Sequence, residues 1–310
     1  MSFDVSLLSN YVDENREPLI GEAILTAKTA GLLTLQTGVK SEAALNLIEH
    51  TVEFGDGSTC GWDEAGETKL SQRKITVGHV KVNKSFCHKD LLKKWAGYGV
   101  RITAGQETLP FEQEFINGQI QAIGSAMEVA LWQGDTDSLS ENLNKFDGLI
   151  KIIDAASPES AVNTDITSIT ASNVMTVVDN VFNAIPAELL DKDNVKIFAG
   201  YDVFRTYIVA LRSANLYHYV ENMGTDLKLV VPGTNVELVG VNGLNGTNRL
   251  FAGQLSNMFM GTDLEGDMET FDFWYSKDND EFRLKVEFLA GVQVAFPSEI
   301  VEFSLEVAST

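Results

Sequence analysis

The sequence predicts an α+β fold, in which β-hairpins and one long helix stand beside a separate α/β unit. Three observations predict it. Near the C-terminus, Phe271, Phe273 and Tyr275 alternate with Asp272 and Trp274, and Phe282, Leu284, Val286 and Phe288 alternate with Arg283, Lys285 and Glu287. Strict period-two patterning across a polar turn marks a hairpin. Between Phe111 and Gln133, Ile116, Ile120, Ile123, Met127 and Leu131 recur at helical spacing and form one apolar stripe. From Asp154 to Gly261, helical and strand patterns alternate around a mainly apolar run, Val195-Lys-Ile-Phe-Ala199. Strands and helices that segregate in this way are the signature of an α+β chain.

Taken in order, the first 17 residues are polar and aperiodic, which predicts an extended or mobile arm. Pro18 is suited to a first helical position, and Leu19, Ile20, Ala23, Ile24 and Ala27 predict a short helix ending near Gly31. Ile48, His50, Val52 and Phe54 then alternate with Glu49, Thr51 and Glu53 until Gly55-Asp-Gly-Ser-Thr-Cys-Gly61 breaks the run. The return strand is Lys74 to Val82, where the apolar phase slips between Val77 and Val80. A one-residue slip at Gly78-His79 reads as a β-bulge, so the region is expected to be a long bent ribbon. Pro110 opens the long helix and Gly134-Asp135 ends it. Gly118 and Gly124 weaken that helix by about 1 kcal/mol each and predict a bend or a close backbone approach. The α/β unit is read as a helix from Ser172 stopped by Pro186, the strand Val195–Ala199, a helix with Val203, Phe204, Tyr207, Ile208 and Leu211 on one face, and short strands near Val236, Arg249 and Ser256. The hairpin turns at Ser276-Lys-Asp-Asn-Asp-Glu281 and its second strand runs into a third towards Pro297.

Composition excludes several function classes. With 23 basic against 44 acidic residues and a net charge of −21, the chain lacks the clustered cations that tight nucleic-acid binding requires. The densest basic group is Lys89, Lys93, Lys94 and Arg101. No apolar run approaches the ~20 residues of a membrane span, and the N-terminus has no secretory pattern. Cys60 and Cys87 have no CxxC partner and read as free thiols. The four histidines, His50, His79, His88 and His218, lack metal-ligand spacing and read as packing or surface residues. Asp278-Asn-Asp-Glu281 lacks the spacing and glycine of a calcium loop and reads as a polar hairpin tip. Gly55 to Gly61 misses GxGxxG by one residue and opens no helix. There is no GxSxG, and Cys87 and His88 would point to opposite faces of a strand. Asp191, Asp193, Asp263, Glu265 and Asp267 read as solvated turn residues, and Tyr217-His-Tyr219 as helix-end packing. The expectation is a non-enzymatic protein without cofactor or metal.

Read in sequence order, these elements resemble the major capsid protein of tailed bacteriophages, whose shell fold is shared with encapsulin nanocompartments. The local matches are Ala130-Leu-Trp-Gln-Gly-Asp135 with Phe146-Asp-Gly-Leu149, and Gly261-Thr-Asp-Leu-Glu-Gly-Asp267 with Phe271-Asp-Phe-Trp-Tyr275 and Glu281 to Phe288. The resemblance implies an N-terminal arm (1–45), an E-loop ribbon (46–87), a P-domain (88–154 and 262–291, with spine helix 111–133 and hairpin 268–290) and an A-domain (155–261 and 292–310). It implies self-assembly into pentamers and hexamers of an icosahedral shell enclosing double-stranded DNA, built in the host cytoplasm and located in the virion. Portal and scaffolding proteins, and decoration proteins in some relatives, are the implied partners. Little chain precedes the ribbon, so a separate scaffold or none is expected. Contacts between subunits are expected at Val52, Phe54, Ile75, Val77, Val80 and Val82 on the ribbon and at Lys277, Asp278, Asn279 and Asp280 on the hairpin tip. An encapsulin-like shell around a cargo enzyme is the alternative, and a monomeric α/β hydrolase or carbohydrate-binding enzyme using clustered acids is a third reading from another class.

Overall fold

The computed structural model describes residues 16–54, 66–87, 111–163, 166–214, 227–263 and 270–305. The expected N-terminal arm up to residue 15, the ribbon tip with Cys60, His88 with the Lys89–Arg101 cluster, Tyr217-His-Tyr219 and residues 264–269 lie outside them.

One strand organises half of the molecule. β12 (Glu281–Val294) is a continuous strand of 14 residues, so the expected second and third strands are one. Its first part lies between β11 (Thr270–Ser276) and β4 (Gly78–Cys87), antiparallel to both. Its last part pairs with β10 (Met258–Gly261), which runs parallel to β1 (Thr34–Gln36). The hairpin register places Phe271 opposite Val286 and Phe273 opposite Leu284. These side chains, with Phe282 and Phe288, are buried together with Ile116, Ile120, Ile123, Met127 and Leu131 of α2 (Phe111–Gln133). The period-two face of the hairpin and the helical stripe are therefore two halves of one core. α1 (Arg16–Leu25) packs on α2 and adds Leu19, Ala23 and Ile24 to it.

The ribbon is β2 (Glu42–Thr51) paired antiparallel with β3 (Glu67–Thr76). It departs from expectation at its root. The return strand stops at Thr76, and from Gly78 the chain belongs to β4 in the other sheet. The apolar phase slip is thus a change of sheet, not a β-bulge. Ile75 and Val77 face Val39, Leu45 and Leu289, whereas Val80 and Val82 pack against the α2 core. Backbones cross tightly here. A Cβ on Gly78 would lie 1.9 Å from the Lys145 carbonyl oxygen, and one on Gly291 would lie 2.1 Å from that of Thr76.

The α/β unit is a six-stranded sheet in the order β5 (Glu159–Ser160), β13 (Val301–Phe303), β9 (Leu250–Gln254), β6 (Val195–Gly200), β8 (Glu237–Val241) and β7 (Lys228–Val230). Every residue of β6 is buried, as its mainly apolar run predicts for a central strand, and the one charged residue in it, Lys196, is paired with Glu237 at 2.6 Å. β6 is parallel to β8 and antiparallel to β9. One face carries α4 (Val174–Ala184) and α6 (Tyr201–Ser213), whose apolar stripes close a second core, with α5 (Ala187–Leu190) beside them. The other face meets the end of α2, where Trp132 lies 5.3 Å from Phe198 and 5.6 Å from Phe251. α3 (Leu149–Ala155) follows the loop that leaves α2.

Candidate assembly surfaces

Alternation along the ribbon gives its two faces different environments. At the root, Leu45 and Leu47 are buried on one face, and Arg73 donates to the Val294 carbonyl at 3.1 Å. Burial lowers the pKa of that guanidinium. The opposite face pairs Ile48 directly with Leu70, between an Asn46–Gln72 hydrogen bond of 2.9 Å and a His50–Thr68 bond of 3.1 Å. Ile48 is 54% exposed, Leu70 77%, Val52 73% and Phe54 99%. A ten-residue strand extends about 30 Å, so this row stands well away from the chain's own core. Each such side chain would contribute about 1.5–3 kcal/mol if buried.

The hairpin tip is polar and braced from within. Lys277, Asp278, Asn279 and Asp280 are all exposed. Asp280 has φ +53°, in the left-handed region that Asp tolerates at turns. The Tyr275 hydroxyl donates to the Asp280 carboxylate, which raises the pKa of the phenol. Asn279 donates to Glu281 at 3.3 Å, and Arg283 donates to the same carboxylate at 3.0 Å. The Arg283 bond, foremost, holds the Glu281 carboxyl below its ordinary range.

The residues expected at subunit contacts therefore fall into three groups. Val52 and Phe54 are exposed beyond the end of β2, and the four tip residues are exposed on the hairpin. Val80 and Val82 are half-buried along a groove of about 90 Å³ shared with Ile123, Met127, Phe146 and Phe288. Ile75 and Val77 are a correction: both are buried in this chain's own core. The sheet change that buries them was hidden because sequence spacing carries no record of which sheet a strand joins.

Two polar clusters were not foreseen. Lys151 bridges Asp135 at 2.6 Å, Asp137 at 2.8 Å and Asp147 at 2.9 Å. With the Gly148 N–H donating to the Gly134 carbonyl at 2.8 Å, it joins the two halves of the motif at the end of α2. The Lys151 hydrogen bond is the main reason the Asp135 carboxyl sits below its ordinary pKa. For Asp147 burial acts upward, but bonds from Thr136 and Lys151 outweigh it and the net shift is downward. The second cluster is buried: Glu128 accepts from the Thr29 amide at 2.8 Å and from its hydroxyl at 2.5 Å, and the Trp132 indole donates to that hydroxyl at 2.8 Å. Glu128 sits one turn from Gly124 and one from Trp132, and no sequence pattern marks it as buried. Among the described residues no group of His, Cys, Asp or Glu is arranged to hold a metal, and no helix is long and apolar enough to cross a membrane.

No family model matches the sequence, and no curated protein matches it. Solved structures do. A chain of the satellite phage P4 procapsid, a particle that includes the size-determination protein Sid, is 12% identical and superposes with a TM-score of 0.61 over 93% of this chain and 90% of its own. A chain from Gordonia phage Cozz is 11% identical, with a TM-score of 0.58 over 90% of this chain and 86% of its own. A virus-like particle from Pyrococcus furiosus is 9% identical, with a TM-score of 0.50 over 93% of this chain and 98% of its own. At these identities the likeness is one of fold: the chain has the α+β shell fold of tailed-phage major capsid proteins.

Proposed function

We propose that this chain is the major shell protein of a tailed-phage head, non-enzymatic, assembling with copies of itself into the pentamers and hexamers of an icosahedral shell around double-stranded DNA. The observation that carries this reading is the ribbon. Its row of Ile48, Leu70, Val52 and Phe54 supplies four of the six large apolar side chains that are more than half exposed among the described residues, Leu139 and Val162 being the other two. A second copy clasping that row, and a third meeting the tip at Lys277–Asp280, would bury what the single chain cannot. Permanent interfaces of this kind cover roughly 2,000–5,000 Å². The divisions 1–45, 46–87, 88–154 with 262–291, and 155–261 with 292–310 would be the arm, E-loop, P-domain and A-domain. A net charge of −21 would let packaged DNA slide past the shell without adhering. Portal and scaffolding proteins would be its partners, together with decoration proteins as in some relatives, and the shell would be built in the host cytoplasm and reside in the virion.

The likeness to the Pyrococcus particle favours a second reading, an encapsulin-like compartment around a cargo enzyme. Co-purified contents separate the two, nucleic acid in one case and an enzyme in the other. The test of shell formation itself is electron microscopy of the purified chain. Because Ile75 and Val77 belong to the core and β4 to the sheet, a ribbon deletion must be confined to residues 48–70. Replacing that stretch with a short turn should leave a folded, soluble subunit that makes no particles, and normal particles would overturn the proposal.

A further inference from the structure

Three parts of the molecule converge on one buried carboxyl. Thr29 is fully buried and Glu128 is 3% exposed. The segment Thr26–Ala30, which follows α1, lies across α2 where Gly124 leaves room: a Cβ there would be 2.9 Å from the Thr26 side chain. One turn further along α2, Glu128 takes both hydrogen bonds from Thr29, and one turn beyond that Trp132 donates to the Thr29 hydroxyl while packing on Phe198 and Phe251 of the six-stranded sheet. Lys28 of the same segment donates to the Gly240 carbonyl at the end of β8 at 2.8 Å. The segment is thereby fastened to the long helix and to the α/β unit at once.

We propose that this fastening is a proton-linked clamp: Glu128 takes up a proton as the Thr26–Ala30 segment closes over it and releases one as the segment opens. Burial raises the Glu128 pKa and is the largest influence on it, exceeding the opposing hydrogen bonds from Thr29 and the charge of Lys28. The charged and titratable groups facing the carboxyl are Lys28 from the segment and Tyr201 from the start of α6, whose phenol is raised by burial and then by Glu128 itself. α2 contributes the neutral Trp132 indole, and β8 contributes the Gly240 carbonyl to which Lys28 is bound. Opening the segment would return the carboxyl to water and to its ordinary range. The closed form therefore binds the proton more tightly, and by linkage it gains on the open form as pH falls through the raised value. Acid tightens the clamp and alkali loosens it, with the gain complete once pH is below the ordinary glutamate range. The neutral acid can donate to Thr29 Oγ and still accept from the Thr29 amide, so both protonation states have partners in the closed form.

Amide hydrogen exchange of the full-length chain, corrected for intrinsic rates, tests this from about pH 8 down to about pH 4, so that the window reaches the ordinary glutamate range. Protection of the Thr29 amide should rise as pH falls, by up to about tenfold per pH unit within the window, while Phe198 on β6 keeps constant protection. In Glu128→Gln, which has the hydrogen bonding of the neutral acid, Thr29 protection should be high and independent of pH. Thr29 protection that is flat in the unmodified chain, or that moves in parallel with Phe198, would overturn the clamp. So would a Glu128→Gln chain that retains the unmodified pH profile. If that variant does not fold, the titration of the unmodified chain decides alone. Neither readout depends on whether particles form.

Discussion

Gly78 and Gly291 mark where the ribbon joins the body, and what they do is clear only when their neighbours are known. Sequence alone placed a special backbone at Gly78 but attributed it to a bulge, because the carbonyl of Lys145 that excludes a side chain is 67 positions away in the chain. Gly78→Ala should destabilise the subunit by about 1–3 kcal/mol, the usual cost of forcing atoms into a packed site, seen as a lower denaturant midpoint at unchanged slope. A midpoint equal to that of the unmodified chain would show that the crossing can widen freely. The same limit applies to Glu128. A glutamate in a helix of an acidic protein reads as solvated, and only the arrival of Thr29, itself held by Trp132 one turn along the same helix, makes it a buried acceptor.

Elements were easier to read than their partners. Period two identified the outgoing strand of the ribbon and both strands of the hairpin, and spacing by three and four identified α2, because each pattern reports one apolar face directly. The return strand read at Lys74–Val82 is instead the end of β3 (Glu67–Thr76) and the start of β4. Which face is covered is another matter. Along β2 and the residues just past its end, the even-numbered row of Ile48, Val52 and Phe54 is the more conspicuous, yet Leu45 and Leu47 on the odd row are the ones buried. The even row is available to another molecule. Replacing Ile48 and Leu70 together by Thr should change subunit stability by no more than about 0.5 kcal/mol, as exposed positions do, while reducing particle yield severely. Calorimetry on the subunit and sedimentation of the assembly reaction measure the two effects separately. Equal loss of both would place this pair in the subunit's own core.

For the molecule as a whole, charge would set the conditions of the association proposed above. Subunits that each carry −21 repel one another at long range, and salt shortens that range from about 30 Å at 0.01 M to about 8 Å at physiological strength. Assembly of the purified chain should accelerate as ionic strength rises, followed by light scattering, and a rate that falls with added salt would show that attractive ion pairs across the interface dominate. The sequence by itself determined the α+β class, the ribbon, the long helix, the terminal hairpin and the α/β unit, because local periodicity and turn chemistry encode each element within its own residues. Only the tertiary structure decided that the ribbon's return strand divides between two sheets, that β12 serves three partners, and that Thr29, Glu128 and Trp132 meet. The reason is physical: strand pairing and burial are contacts between residues far apart in the chain, and the same alternating pattern satisfies many possible partners until packing selects one.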